Sequence, residues 1–303
     1  MNKNVLIISL LLIVFSADGC RSNEIAQSII DSDKVDSLIN VTKINERTII
    51  VKFGYDAVTA IKTSEGIVLI DAGISTFLTE RYKERIIKHF NLDNFIFVIN
   101  SHGHHDHIRG NVLFPQAQIL GHGYCRKDAP DSRTNKDSLL IKISEIINDY
   151  DRQLQHSIPG TPEWSDIYTQ KIRYYGSYLD EKNDIPIRFP DITFSDSLKL
   201  ECGDTSFEII YFGKFHSNSD ILIYVPEMQL LFSGDLFSNY GRPAMSDSSI
   251  RDEDKWPHSI NWTNLRMNNI RTIIDGHGQI LTIDDLKGFN GNLLNLYSME
   301  GPE

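Results

Sequence analysis

Between residues 100 and 111 the chain reads NSHGHHDHIRGN, and six consecutive positions there hold His102, His104, His105, Asp106 and His107. No other stretch of the sequence is so dense in groups that bind metals. Imidazole nitrogens and a carboxylate can share an ion only if the backbone holds them still, so this segment has to leave a rigid element. The apolar run FIFVIN lies immediately before it and reads as a buried strand. His102 and His104 are two apart, project to the same side of an extended segment, and suit one metal. Asp106 and His107 follow and suit a second. Nitrogen and oxygen donors without a thiolate fit zinc. A zinc with three protein ligands and an open corner is catalytic in type, because the pKa of water held there falls to about 7.

Two metals need more donors than this cluster supplies. The second half of the chain offers His216 in GKFHSNSD, Asp235 in LLFSGDLF and His277 in IIDGHGQ, each at the end of an apolar run. The order of runs predicts an α/β chain that is β-rich, helical, β-rich and helical again. TIIVKFG, AVTAIKTS and GIVLIDAG read as strands, and LTERYKERIIKHF reads as a helix with Leu78, Tyr82, Ile86 and Phe90 on its apolar face.

From about 126 to 185 the character changes to two long helices. One has the stripe Leu139, Ile143, Ile146, Ile147, Tyr150 and Leu154, the other Trp164, Ile167, Tyr168, Ile172, Tyr175 and Leu179, and Pro159, Gly160 and Pro162 break them apart. Trp164, Tyr168, Tyr174, Tyr175 and Tyr178 give this segment an aromatic surface, which either packs on the remainder or overhangs the metal ligands. Strands return with ITFSDSLKLECGDTSFEIIYFG, DILIYVP and QLLFSGD, spaced as an antiparallel meander. WTNLRMNNIR then reads as a helix, TIIDGHG as a strand, and residues 284–297 as a closing helix.

VLIDAG, SHGHHDH, FHSNSD, FSGDLF and DGHG resemble, in this order, the five motifs of the metallo-β-lactamase superfamily, and the resemblance runs from about residue 46 to 297. It implies a four-layer αββα sandwich with the metal site on one rim and residues 126–185 as a helical insertion. It further implies that His102, His104 and His216 bind one zinc, that Asp106, His107 and His277 bind a second, and that Asp235 bridges both. The family reaction has a hydroxide between the zincs attack a carbonyl or phosphorus, with Asp106 orienting the nucleophile as a catalytic residue. His105 occupies the variable position of its motif and is read as a non-ligand. Asp71 matches a carboxylate that supports the site from behind the ligands, the plainer alternative being a turn residue. His122, His156 and His258 lack motif context and read as surface or satisfied core residues.

The resemblance leaves the substrate open, since this fold and metal pair serve lactams, lactones, thioesters, phosphodiesters and sulfate esters. β-Lactam-hydrolysing members typically have cysteine or serine where Asp235 stands, which disfavours a dedicated lactamase. Flavin-linked diiron members have glutamate where His104 stands. Glutathione-thioesterase members add a helical domain after the last histidine, and nucleases add a large domain or basic arm; this sequence shows neither. The expectation is a zinc-dependent hydrolase of a small-molecule carbonyl ester, lactone, lactam or thioester. Phosphodiesterase, sulfatase and a non-catalytic zinc-binding lipoprotein are the alternatives.

The formal charge of −11 and the lack of any basic run argue against nucleic acid as a partner. Lys3 precedes the apolar VLIISLLLIVFSA, so residues 1–19 read as a signal peptide. The run ends in Ala17, Asp18, Gly19 and Cys20, which resembles a lipobox, with Asp18 where a small uncharged residue is commonest. Export follows, with lipidation of Cys20 as the membrane anchor and ordinary signal cleavage as the alternative. Residues 20–45 read as a tether containing at most a short helix, ahead of a hydrolase domain at 46–297. Cys125 and Cys202 are in no paired motif and are read as buried thiols.

Overall fold

The structure, a computed structural model, describes residues 30–129, 136–237 and 255–299; the signal segment and Cys20 lie outside the described residues. In chain order the first half contains α1 (Ser32–Leu38), β1 (Asn40–Asn45), β2 (Thr48–Phe53), β3 (Asp56–Lys62), β4 (Ile67–Ile70), α2 (Thr76–Phe90), β5 (Phe95–Ile99), α3 (His105–Ile108) and β6 (Gln118–His122). Then come α4 (Cys125–Asp128), α5 (Lys136–His156), α6 (Pro162–Lys182), β7 (Ile192–Phe194), β8 (Ser197–Cys202), β9 (Thr205–Tyr211) and β10 (Ile221–Val225). The chain continues through β11 (Leu230–Gly234), α7 (Trp256–Arg266), β12 (Thr272–Asp275), β13 (Ile280–Leu281) and α8 (Ile283–Met299).

Two sheets form the centre, one in the order β1-β2-β3-β4-β5-β6-β7 and the other β13-β12-β11-β10-β9-β8. Because strand side chains alternate between faces, each central strand feeds two cores. In β4, Ile67 and Leu69 join the core beneath α2, while Val68 and Ile70 face the other sheet. In β10, Ile221, Ile223 and Val225 fill the space between the sheets, whereas Leu222 and Tyr224 join Trp256, Ile260, Leu286 and Phe289 of α7 and α8. Three apolar layers therefore separate four structural layers, the αββα arrangement. Burying one such aliphatic or aromatic side chain stabilises by about 1.5–3 kcal/mol.

The helix α2 begins where the Ser75 hydroxyl accepts from the Leu78 N–H and ends at Asn91, which takes a left-handed conformation. Leu78, Tyr82, Ile86 and Phe90 are buried on its inner face, as their spacing predicts. The meander is present as consecutive antiparallel pairs from β8 to β11.

Three expectations need correction. Residues 40–45 are an edge strand paired antiparallel with β2, and α1 buries Val35, so the fold begins ahead of residue 46 and part of the expected tether belongs to it. The stretch ITFSDSLKLEC divides between sheets: β7 pairs parallel with β6, and the chain crosses at Ser195 and Asp196 before β8 enters the second sheet. Finally, the face that α6 buries is Thr169, Ile172, Arg173, Gly176 and Asp180, with the aromatic stripe left half-buried beside it.

Candidate metal centre

Every candidate ligand leaves the carboxyl end of a strand or the loop after it. Beyond β5 the chain continues extended through Asn100 and Ser101 to His102, and His104 keeps an extended backbone before α3 carries Asp106 and His107. β9 leads to His216, β11 to Asp235, and β12 to His277. The loop before His216 is locked by Asp220, whose carboxylate accepts from the Phe215 and Ser217 N–H groups at 3.2 and 2.8 Å. The turn before His277 is held by Asp275, which accepts from the His277 N–H at 2.9 Å and the Gln279 N–H at 2.8 Å.

Three groups of donors result, each with its ligand atoms within 4.8 Å of one another: His102, His104 and His216; Asp106, His107 and His277; and His102, His107 and Asp235. Asp235 is central to them. Its Oδ2 lies 3.1 Å from Nε2 of His277, 3.4 Å from that of His216, 3.5 Å from that of His107 and 4.0 Å from that of His102. The four imidazoles come from both of the first two groups.

The hydrogen bonds behind the ligands fix which ring nitrogen faces inward. Ser101 donates its hydroxyl to Asp71 Oδ2 at 2.8 Å, so its oxygen is left to accept from His102 Nδ1 at 3.1 Å. His107 Nδ1 lies 2.9 Å from Asp71 Oδ2, and His277 Nδ1 lies 2.7 Å from the Tyr55 carbonyl. Each of these three rings therefore turns Nε2, the atom free to meet a metal, inward. His104 Nδ1 is 3.0 Å from Nε2 of both His102 and His216. Lone pairs crowded this closely repel unless a cation sits among them.

The protonation tendencies agree. Burial pushes His102 well below the usual imidazole range, helped by His107 and His104, and brings His104 down to about 4, helped by His216. Both rings are then neutral donors at neutral pH. Burial opposes the charged form of Asp106 and Asp235, yet the neighbouring histidines, His107 foremost, keep both carboxyls below their ordinary range. Burial also opposes charge on His107, but Asp235, Asp71 and Asp106 outweigh it and favour positive charge at its Nε2, which a proton supplies in the metal-free protein and a metal cation would supply in its place. His107 Nε2 and Asp235 Oδ1 are buried with no hydrogen-bond partner among the described residues. Buried orphans of this kind ordinarily have a partner, so the donor set fits metal cations.

Asp71 supports this arrangement at a conformational cost. It sits at φ +59°, uncommon for a residue other than glycine, and its carboxylate accepts from the Ser101 N–H at 2.7 Å as well as engaging Ser101 Oγ and His107. His105 points away, its side chain 46% exposed. His122 is buried, stacked on Tyr211 and bonded to the Ser195 carbonyl; His156 and His258 are exposed. Cys125 and Cys202 are buried free thiols.

Tyr55 went unrecognised in the sequence, where it only separates two strand runs. Its carbonyl orients His277, and its ring stacks on that imidazole with centroids 3.8 Å apart. With His104, Asp106, His216, Asp235, Asp275 and His277, Tyr55 lines a cavity of about 280 Å³, at the lower end of small-molecule sites. Among the described residues none of the insertion's aromatic side chains lines it, and Trp164 instead stacks on Tyr168, with Lys34 5.0 Å above the indole.

Comparison with known proteins bears on the family and the fold. Residues 52–277 match the family model described as Metallo-beta-lactamase superfamily. A metallo-beta-lactamase type 2 from Bacteroides fragilis is 23% identical over 100 residues, covering 33% of this chain and 39% of that protein. The matches to curated relatives span from 39% to 66% of those proteins' length. Among solved structures, a metallo-beta-lactamase from Pontibacter korlensis superposes with a TM-score of 0.53 at 18% identity, covering 85% of this chain and 99% of that one. The stereoselective inverting sec-alkylsulfatase Pisa1 from Pseudomonas sp. superposes with a TM-score of 0.56 at 15% identity, covering 86% of this chain and 42% of that one.

Proposed function

The chain belongs to the metallo-β-lactamase superfamily, and from that premise we propose that it is a metal-dependent hydrolase holding two zinc ions and acting on a small molecule. The observation that carries this reading is the position of Asp235, one carboxylate oxygen within 4.0 Å of four inward-facing imidazole nitrogens. In this reading His102, His104 and His216 would hold one metal, Asp106, His107 and His277 would hold the other, and Asp235 would contribute to both.

When bound, a zinc pair supplies Lewis acidity, lowering the pKa of water and polarising the bond under attack. The remaining work falls to the protein. Asp71 fixes the tautomer of His107 and, through Ser101, that of His102. The Tyr55 carbonyl does the same for His277, and its ring shields one face of that imidazole from water. Asp106, ionised and half-buried on the cavity wall, accepts a hydrogen bond from the attacking water and aims it. Holding reactants in this manner is what converts binding into rate.

Carbonyl esters, lactones, lactams and thioesters stand ahead of phosphodiesters and sulfate esters as substrates, and Asp235 favours the non-lactam members of the first group. Export and a lipid anchor at Cys20 complete the proposal. The test is to screen zinc-loaded protein against chromogenic lactam, lactone, thioester, phosphodiester and sulfate substrates. Turnover of a carbonyl substrate, abolished by chelation and restored by zinc, is expected. Tight binding of two zincs without turnover of any of the five classes would favour a binding protein instead.

A further inference from the structure

The helix α6 belongs to the insertion, yet it is pinned to the sandwich along its length. At Thr169 it meets Gly54, where no Cβ would fit; at Gly176 it meets Ser75 just as closely. At Asp180 its carboxylate accepts from the Thr76 N–H at 2.8 Å and pairs with Arg109 Nε at 3.6 Å. These points recur on one face at helical spacing, and Arg173 lies among them.

Arg173 is 6% exposed, and its guanidinium reaches the metal centre. Nη1 donates to Gln170 Oε1 at 2.7 Å, and Nη2 lies 3.5 Å from Asp106 Oδ2. The guanidinium carbon is 5.3 Å from the Tyr55 ring, which stacks on His277. Nε has no hydrogen-bond partner among the described residues. A buried arginine with an unpaired donor is a costly way to fill space. Its charge also favours the ionised form of the buried Asp56, so two carboxylates rather than helix packing account for it.

We propose that Arg173 is a positioning residue for the second metal group, supplied by the insertion: it holds the outer oxygen of Asp106 and so reserves the inner one for the metal. Oδ1 of Asp106 is the atom facing His107 Nε2, at 3.8 Å. The pairing restrains the carboxylate from swinging to a two-oxygen grip, and contact with Tyr55 couples the same cation to the His277 ring. The contacts from Arg173 run to Asp106 and to Tyr55 beside His277, both on the side of the second group. The insertion thereby serves one metal of the two, through a charged residue rather than through its aromatic surface. This inference rests on the two-metal reading above.

The test is a zinc titration of metal-free protein against a chromogenic chelator, resolving two binding steps in wild type and in Arg173→Met, which keeps the stem and removes the charge. We expect the second step to weaken by about 10–100-fold, the range typical for groups behind metal ligands, with the first step unchanged. Arg173→Lys keeps the charge and so guards against a folding failure. Its single ammonium cannot hold Gln170 and Asp106 together, and its second step should weaken several-fold. An unaltered second step in either folded variant, or parallel weakening of both steps, overturns the proposal while leaving the two-metal reading intact. A single zinc per wild-type chain overturns both.

Discussion

Asp71 Oδ2 lies 2.9 Å from Nδ1 of His107, and the same carboxylate takes both the N–H and the hydroxyl of Ser101, the residue just before His102. One side chain thus orients an imidazole from each proposed metal group. Its backbone at φ +59° stores strain of about 1–3 kcal/mol, which the surrounding β4 and β5 strands must hold in place.

Asp71→Asn isolates the charge, because asparagine keeps the size and tolerates the left-handed conformation. Its amide NH₂ would face either Ser101 or His107, both donors. Zinc affinity should fall by about 10–100-fold, as is typical when a partner behind a metal-bound histidine is lost. Titration of the metal-free protein measures this, and wild-type affinity in the variant would reduce Asp71 to a turn residue.

His104 and His105 are adjacent but face opposite ways, His104 toward His102 and His216, His105 toward solvent. His104→Ala should lose metal and most hydrolytic activity, while His105→Ala should retain two zincs per chain by elemental analysis. Equal losses from both would mean that the motif is misassigned.

The candidate ligands were legible because each follows an apolar run within a few residues, and a run of β-branched residues betrays its strand wherever the partner strand lies. What was not legible depends on pairing between distant segments. Ile192–Phe194 reads the same whether it joins β6 or β8, and only the tertiary pairing with Leu120, Gly121 and His122 decides. The expected face of α6 erred for a related reason. Periodicity weights Trp164, Tyr168 and Tyr175, but close approach to Gly54 and Ser75 requires small residues, and Arg173 and Asp180 are buried because their partners await them on other elements. A sequence rule that sends charges to the surface places these residues on the wrong side.

Cys20 offers a test of location that is independent of the site. If it is lipidated, native protein partitions with membranes and Cys20→Ser releases it. The several acyl chains of a bacterial lipoprotein bury CH₂ groups at about 0.8 kcal/mol each, enough for stable attachment. Among the described residues no helix is long and apolar enough to cross a membrane, so no described helix supplies a transmembrane anchor. Recovery of wild type entirely in the soluble envelope fraction would refute the anchor.

The position of Asp235 can be probed from two directions. Asp235→Asn removes the charge at constant size, loosening any metal that the carboxylate spans. Gly276→Ala leaves every proposed ligand unsubstituted but adds a methyl group beside two of them: its Cβ would collide with Asp235 Oδ1 and approach His107 Cε1 to 2.8 Å. Both contacts are too close to persist, so Asp235, and with it His107, should be displaced while their chemistry is kept. If the position of Asp235, and not merely its charge, sets the spacing of the metals, both variants should lose about 100-fold or more in rate on whichever substrate wild type cleaves, as misplacement of about 1 Å can cost that much. Circular dichroism should show the fold retained in each. Full activity in Asp235→Asn would remove the bridging role, and full activity in Gly276→Ala would show that the carboxylate can shift without consequence. Loss in Asp235→Asn alone would assign the role to charge, with geometry secondary.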